Sequence, residues 1–374
     1  MMAEEASALG IEIVLLAEAE TDGAVAFVHE VRYGSAHDPV ALRALAEEVD
    51  VVTFDHELVN LEALHELENQ GHRIFPSPEA LLFAVDKAAM RRLCTTHDLP
   101  APAFVLLSPG DVVDINELGV TLGWPLVLKA ARGGYDGRGV FIVEDAAGAD
   151  QVIKDLFAAG ISVVAEERAS ILRELAALVV RRPSGELLAW PAMETAQVDG
   201  VCREVLLPGT VEPAIAAQAL EVARSVAEAI GLVGVMAVEL FETPEGIVVN
   251  ELALRPHNSG HWTQDGAITS QFANHLRAVL DLPLGRTEMT TPAVASVNVF
   301  GGPEGSEPLL AGLNDALRVP GAQIHLYGKA TRPMRKLGHV NLTGEDASLV
   351  RRLAWEAAIA LGTPLPSEIE EHIR

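Results

Sequence analysis

Residues 234–263 read GVMAVELFETPEGIVVNELALRPHNSGHWT, and the rest of the chain is best interpreted from this stretch. Residues 234–241 are apolar apart from Glu239, and residues 247–252 open a second apolar run. The segment Glu242-Thr243-Pro244-Glu245-Gly246 between them carries turn residues, so the two runs are expected to pair as a hairpin. Register across such a hairpin brings Glu239 opposite Glu251. A carboxylate in a buried strand is costly without a partner, and two facing carboxylates repel unless a cation lies between them. Oxygen groups from Glu239, Asn250 and Glu251 suit Mg²⁺, which completes its shell with water and substrate phosphates. Two solvated glutamates at strand ends fit the spacing equally well. Behind the second strand stand Arg255, His257, Asn258 and His261. The two histidines have the spacing of a helical zinc pair, but no glutamate intervenes as in HExxH and no third ligand is evident, so zinc is set aside.

With 374 residues, 49% of them hydrophobic, the chain can bury a large core and divide into two or three domains. Its 53 acidic residues against 27 Lys and Arg give a formal charge of −26, which argues against nucleic acid or an anionic membrane as partner. Any anionic ligand must therefore meet a local basic island. Two cysteines, Cys94 and Cys202, make no disulfide framework and read as core thiols. No apolar run is long enough for a bilayer span, and Glu4 and Glu5 stand where a secretory leader would be basic. A cytoplasmic protein is expected.

Residues 11–17 and 49–54 read as buried strands flanking a helix at 39–48, a parallel α/β unit. Asp55-His56-Glu57 follows the second strand, and because ligands gather beyond the carboxyl ends of parallel strands, Glu57 is a substrate-contact candidate; a polar loop is an equal reading. Helical periodicity spans 78–97 and stops at Leu99-Pro100-Ala101-Pro102, a hinge. Residues 124–182 alternate strand, glycine-rich loop, strand, helix, strand, strand, a compact module able to act as a lid. Later helices are expected at 213–230, 267–280 and 345–361.

Lys129 ends a strand, and the loop after it is GGYDGRG, residues 133–139. Glycines at this density let backbone N–H groups approach an anion, although a plain turn explains the loop taken alone. It is not a Walker A loop, since no Gly-Lys-Ser/Thr follows to open a helix. Lys129 and Lys87 can supply point charges to phosphates. Residues 163–166 form a buried strand ending at Glu166-Glu167, carboxylates able to accept from ribose hydroxyls, with Glu174 further on; surface glutamates fit these positions as well.

The order Lys129, GGYDGRG, Glu166, Glu174, Glu239, Asn250-Glu251 resembles the ATP-grasp superfamily. Together with Arg255, HNSGHWT (257–263) and RPMRKLGHVNL (332–342), it is similar to the 5-(carboxyamino)imidazole ribonucleotide synthetase family of purine biosynthesis. The resemblance runs from about residue 3 to 361. It implies a mixed α/β and α+β ATP-grasp fold. A Rossmann-like pre-ATP-grasp domain would occupy 1–85, an ATP-grasp domain 86–290 with its lid at about 124–182, and a small β-rich C-terminal domain 291–374. The implied activity is ATP- and bicarbonate-dependent carboxylation of 5-aminoimidazole ribonucleotide through carboxyphosphate, in a homodimer.

By the same resemblance, ATP would meet Lys87, Lys129, the loop residues Gly134, Tyr135, Asp136, Gly137, Arg138 and Gly139, and Glu166, Glu167, Glu174, Gln197, Asn250 and Glu251. Two Mg²⁺ (or Mn²⁺) ions would sit on Glu239, Asn250 and Glu251. Asp136, Arg255, His257 and Asn258 would carry the chemistry, and Glu57, Tyr135, Arg332, Arg335 and Lys336 would hold the imidazole ribonucleotide. A formate-dependent transformylase or a biotin carboxylase shares the fold, but the RPMRKLGH segment speaks against both. Leu254 departs from the proline usual after Asn-Glu-Leu-Ala, and Gln197 stands where many members have histidine. Family members also begin with a strand and a glycine-rich phosphate loop that this sequence lacks, so it is expected to bind the ribonucleotide weakly, or to be a nucleotide-binding protein of little activity.

Overall fold

The computed structural model describes residues 1–134, 139–303 and 309–373. In chain order its strands are β1 (Val14–Ala17), β2 (Glu30–Tyr33), β3 (Phe104–Leu107), β4 (Leu126–Ala130), β5 (Val140–Val143), β6 (Val163–Glu167), β7 (Arg173–Arg181), β8 (Leu187–Ala189), β9 (Met193–Val198), β10 (Val201–Leu207), β11 (Gly234–Thr243), β12 (Gly246–Ala253), β13 (Ala293–Phe300), β14 (Gln323–Leu326) and β15 (Lys336–Gly344). They build three sheets. β1 and β2 form a parallel pair, and β3-β6-β4-β5 form an antiparallel four-stranded sheet. The third sheet has nine strands in the order β12-β11-β7-β9-β10-β13-β15-β14, with β8 beside β7.

The four-stranded sheet has its own core. Leu126, Leu128, Val163 and Ala165 pack under the helices Ile115–Leu122 and Ala146–Ala158 through Leu118, Leu122, Ala149 and Ile153. A layer with a separate core can move against the rest of the molecule without opening either core. This lid sheet begins at β3, before residue 124, and ends at β6. β7, expected within the lid, belongs to the nine-stranded base, where Leu175, Ala177 and Val179 pack against Val222 and Val226 of helix Pro213–Ala229.

The N-terminal region departs from expectation in three places. The first strand spans Val14–Ala17 and not the full run from residue 11. Residues 49–54 make a single parallel bridge, Val52 to Ile74, in place of a strand. Ser77, whose N–H would make the next bond of that parallel ladder, is instead the N-cap of the helix Pro78–Val85. The helical run 78–97 is two helices, Pro78–Val85 and Lys87–Thr96. Asp86 adopts an extended φ of −129° and its carboxylate caps the second helix at Ala89 N–H, which makes Lys87 the first residue of a new helix. The later helices fall at Pro213–Ala229, Gln271–Val279 and Ala347–Ala360, close to the expected spans.

The helix Gln271–Val279 carries a histidine that locks two layers together. His275 is fully buried; its Nδ1 accepts from Val235 N–H at 3.1 Å, so its Nε2–H donates to Thr53 Oγ1 at 2.7 Å. Gly234 makes room for it: a Cβ there would lie 3.0 Å from His275 Cε1, at a φ of +105° that other residues rarely adopt. Burial pushes the His275 pKa down to about 4. The folded pKa is thus below the unfolded one, so the unfolded chain takes up the proton first. The stability His275 contributes is full above about pH 6.5 and is lost as pH falls toward 4, to the extent of about 3 kcal/mol. Urea midpoints measured across that window should fall more steeply for the wild type than for His275→Gln; parallel slopes would remove His275 as a cause.

Candidate functional site

Between lid and base lies a cleft of about 1280 Å³. Its acidic wall is the β11–β12 hairpin, and the register is the expected one, with Glu239 directly opposite Glu251. A β-bulge follows, since Leu240 pairs with Val249 and Asn250 has no opposite residue. The bulge has a chemical consequence. Val249 and Leu252 both pack into the core beneath the sheet, so the two residues between them, Asn250 and Glu251, both turn to the cleft. A regular strand would have buried one of the two.

The cations come from two layers. Lys87, at the start of its helix, reaches Glu251 at 3.1 Å. Lys129, from β4 of the lid, contacts Glu166 at 2.8 Å and donates to Asn250 Oδ1 at 3.2 Å. Behind them lies Arg91, which is wholly buried and was not singled out from the sequence. It donates to Glu166 at 2.7 Å and to the carbonyls of Val249 and Asn250 at 2.9 and 3.4 Å. Burial opposes ionisation of Glu166, yet Arg91 and Lys129 together hold its carboxyl below the ordinary range. Burial also pulls the Lys129 ammonium below its usual pKa, against the opposing pull of Glu166. Helical spacing offered a weak clue to Arg91, four residues after Lys87 on one face.

Deeper in the cleft, burial, Glu251 and Glu174 push the Glu239 carboxyl up to about 7. Burial raises Glu174 too, and its Oε2 has no hydrogen-bond partner. His257 Nε2 lies 3.6 Å from Glu239. Burial, with Arg255 and Lys336 adding to it, holds the His257 imidazole well below its usual pKa, so it is neutral. Arg255 is gripped by Glu57 at 2.7 Å, whose other oxygen accepts from Leu254 N–H at 3.1 Å. Glu57 therefore faces a guanidinium within the cleft. The histidines sit on a 3₁₀ turn, Asn258–Gly260, for which His257 is the N-cap, and not on a helix face. Among the described residues no group of three or more His, Cys, Asp or Glu is placed to hold a metal ion. Two facing carboxylates with an amide oxygen beside them fit an ion that takes the rest of its shell from water and phosphate.

Of the residues expected from the sequence, Glu57, Lys87, Lys129, Gly134, Glu166, Glu167, Glu174, Gln197, Glu239, Asn250, Glu251, Arg255, His257, Asn258 and Lys336 line this one cleft. Gly139 stands at the foot of β5, its carbonyl accepting from Ala130 N–H, and is not in the lining. Arg332 and Arg335 precede β15 outside the lining, with Arg335 donating to the Ala330 carbonyl at 3.2 Å. Tyr135, Asp136, Gly137 and Arg138 lie outside the described residues.

Three family models match the chain in order: the ribonucleotide synthetase preATP-grasp domain over residues 1–85, the ATP-grasp domain over 92–272, and the phosphoribosylaminoimidazole carboxylase C-terminal domain over 294–353. A separately cored lid over an antiparallel base, with lysines and carboxylates meeting between them, is the ATP-grasp arrangement. The chain is 43% identical to the N5-carboxyaminoimidazole ribonucleotide synthase of Mycobacterium tuberculosis, over 96% of its own length and 84% of that protein. Among solved structures it resembles the N5-carboxyaminoimidazole ribonucleotide synthetase of Thermotoga maritima, with a TM-score of 0.84 and 33% identity over 96% of this chain and 94% of that one. It also resembles the Aspergillus clavatus enzyme solved with ADP and 5-aminoimidazole ribonucleotide, with a TM-score of 0.84 and 32% identity over 97% and 95%. The chain belongs to the N5-carboxyaminoimidazole ribonucleotide synthase family. No helix of the described residues is long and apolar enough to cross a membrane.

Proposed function

We propose that this protein uses ATP and bicarbonate to carboxylate the 5-amino group of 5-aminoimidazole ribonucleotide, giving 5-(carboxyamino)imidazole ribonucleotide. The observation that carries the reading is the cleft in which Lys87 and Lys129, the facing carboxylates and the Arg255–His257–Asn258 turn converge. Lys87 and Lys129 would hold the ATP phosphates, and Glu166, fixed by Arg91, would accept from the ribose hydroxyls, with Glu167, Glu174, Gln197 and the loop 134–139 completing the nucleotide site. Glu239, Asn250 and Glu251 would hold Mg²⁺, which when bound neutralises phosphate charge.

Phosphoryl transfer depends mainly on positioning and charge neutralisation. A bicarbonate oxygen attacks the γ-phosphorus, giving carboxyphosphate and ADP. The amine nitrogen then attacks the carboxyl carbon, and inorganic phosphate and a proton leave. Arg255 supplies a fixed positive charge to that phosphate, and Glu57 keeps its guanidinium aimed. The neutral His257 offers a hydrogen bond without competing for the charge. Asp136 would orient the amine, and Tyr135 would contact the ribonucleotide. Lys336, with Arg332 and Arg335 drawn in from the neighbouring loop, would grip its 5′-phosphate. Lid closure excludes water from the labile carboxyphosphate. We assign residues 1–85, 86–290 and 291–374 to the three domains, with the homodimer as the assembly, which sedimentation tests.

Product formation, followed by ADP release and by ¹³C label from bicarbonate, is expected to need ATP, bicarbonate and the ribonucleotide but no biotin. ATP hydrolysis indifferent to the ribonucleotide, or any requirement for biotin, would overturn the proposal.

A further inference from the structure

Behind the substrate end of the cleft lies a cluster that the mechanism above leaves unused. It spans the two matched regions: His261 and Asp265 follow the cleft turn, whereas His325, Tyr327, His339 and Asn341 come from β14, the residue just after it, and β15. The three imidazoles stack, with His339 in the middle: its ring centroid lies 4.5 Å from those of both His261 and His325, with interplanar angles of 23° and 15°. Rings stacked face to face hold their nitrogen lone pairs in near-parallel planes, so they do not converge on a metal.

The hydrogen bonds have a direction. Tyr327 Oη lies 2.8 Å from His339 Nδ1 and 3.2 Å from His261 Nδ1. A hydroxyl has one proton to give, so at least one imidazole donates to it, and the Tyr327 O–H is itself satisfied only if the other accepts from it. His339 is fully buried and its Nε2 has no partner. A bare acceptor there costs less than a stranded N–H, so the proton sits on Nδ1 and is donated to Tyr327. Tyr327 then donates to His261. Burial, followed by neighbouring imidazoles, holds His261 and His339 well below the usual histidine pKa, in keeping with the neutral forms this direction requires.

The chain ends where substrate would sit. His261 closes the 3₁₀ turn that carries Asn258, and its N–H bonds the Asn258 carbonyl. Its own carbonyl accepts from Asn341 at 3.0 Å, and Asn341 also reaches Asp265 at 2.7 Å, as does His325 at 2.8 Å. Asn341 and His339 lie on the strand that Lys336 begins. We propose that Tyr327 is a positioning residue: its hydroxyl, shared between His261 and His339, sets the spacing between the His257–Asn258 turn and the strand bearing Lys336. The ribonucleotide must bridge these two walls, whereas ATP is held elsewhere, by Lys87, Lys129 and Glu166. The inference rests on the reaction proposed above.

The test is the Tyr327→Phe enzyme, which keeps the ring and loses the hydroxyl. KM for 5-aminoimidazole ribonucleotide should rise about tenfold, as for one lost buried hydrogen bond, with KM for ATP and the melting temperature little changed. His339→Asn, whose amide N–H can replace Nδ1–H, should stay near the wild type, and His339→Leu should match Tyr327→Phe. An unchanged ribonucleotide KM in Tyr327→Phe, an equal rise for ATP, or a His339→Asn enzyme as impaired as His339→Leu would overturn the inference. Should Tyr327→Phe fail to fold, the two His339 variants carry the same comparison. Wild-type enzyme is assayed alongside: if it does not consume the ribonucleotide, the proposed reaction fails and this inference with it.

Discussion

Replacing Glu251 with Gln is expected to lower turnover at least about a hundredfold while leaving the fold intact, the scale for losing a metal contact made in the transition state. The side chain faces the cleft, is 42% exposed, and pairs with Lys87 and not with any core group. The amide is isosteric, so the bulge that places residues 250 and 251 on one face should persist. What disappears is the negative charge opposite Glu239, and with it half of the carboxylate pair proposed to hold Mg²⁺. Steady-state turnover at saturating Mg²⁺, with a melting curve as control, provides the measurement. Retention of more than about a tenth of wild-type activity would show that Glu251 does not hold an ion the reaction needs.

Arg91→Met is expected to destabilise the protein by about 3 to 5 kcal/mol, the range for removing one partner of a buried ion pair. Arg91 is fully buried, and its loss leaves Glu166 with Lys129 alone and the Val249 carbonyl without its side-chain donor. The same change should weaken ATP binding, because Glu166 would be pulled toward Lys129. Adding Glu166→Gln should recover part of the stability, since a neutral amide no longer needs the second cation, but none of the nucleotide affinity. Denaturant midpoints and ATP titrations of the single and double variants separate the two effects. A single variant as stable as the wild type would mean that the guanidinium contributes nothing to the seam between helix, lid and base.

Much of the cleft was legible from short-range pattern. The Glu239–Glu251 pairing follows from two apolar runs separated by a turn, because strand alternation and a hairpin leave few registers that keep the apolar face inside. Lys129 before a glycine-rich loop and Glu166 at a strand end were equally readable, and both line the cleft. What failed, failed where a neighbour decides. Residues 49–54 have strand composition, yet the segment they meet offers one bridge before it turns into a helix at Ser77. β7 looked like lid, but its apolar residues are satisfied equally well in the base, and only packing chooses between them.

The sequence by itself determined the mixed α/β and α+β class, the absence of a disulfide framework, the order of the acidic and basic groups, and the family resemblance those motifs carry. These depend on residue type and local spacing, which the chain carries whether folded or not. Tertiary structure alone decided that Asn250 and Glu251 share a face, that Arg91 is the buried anchor of Glu166, and that Tyr327 mediates between two histidines 78 residues apart. Each of these rests on a bulge, a desolvated ion pair or a shared proton whose partners meet only when separate layers pack. Their energies arise from that burial, and beyond the weak helical-spacing clue to Arg91 no local pattern in the sequence announces them.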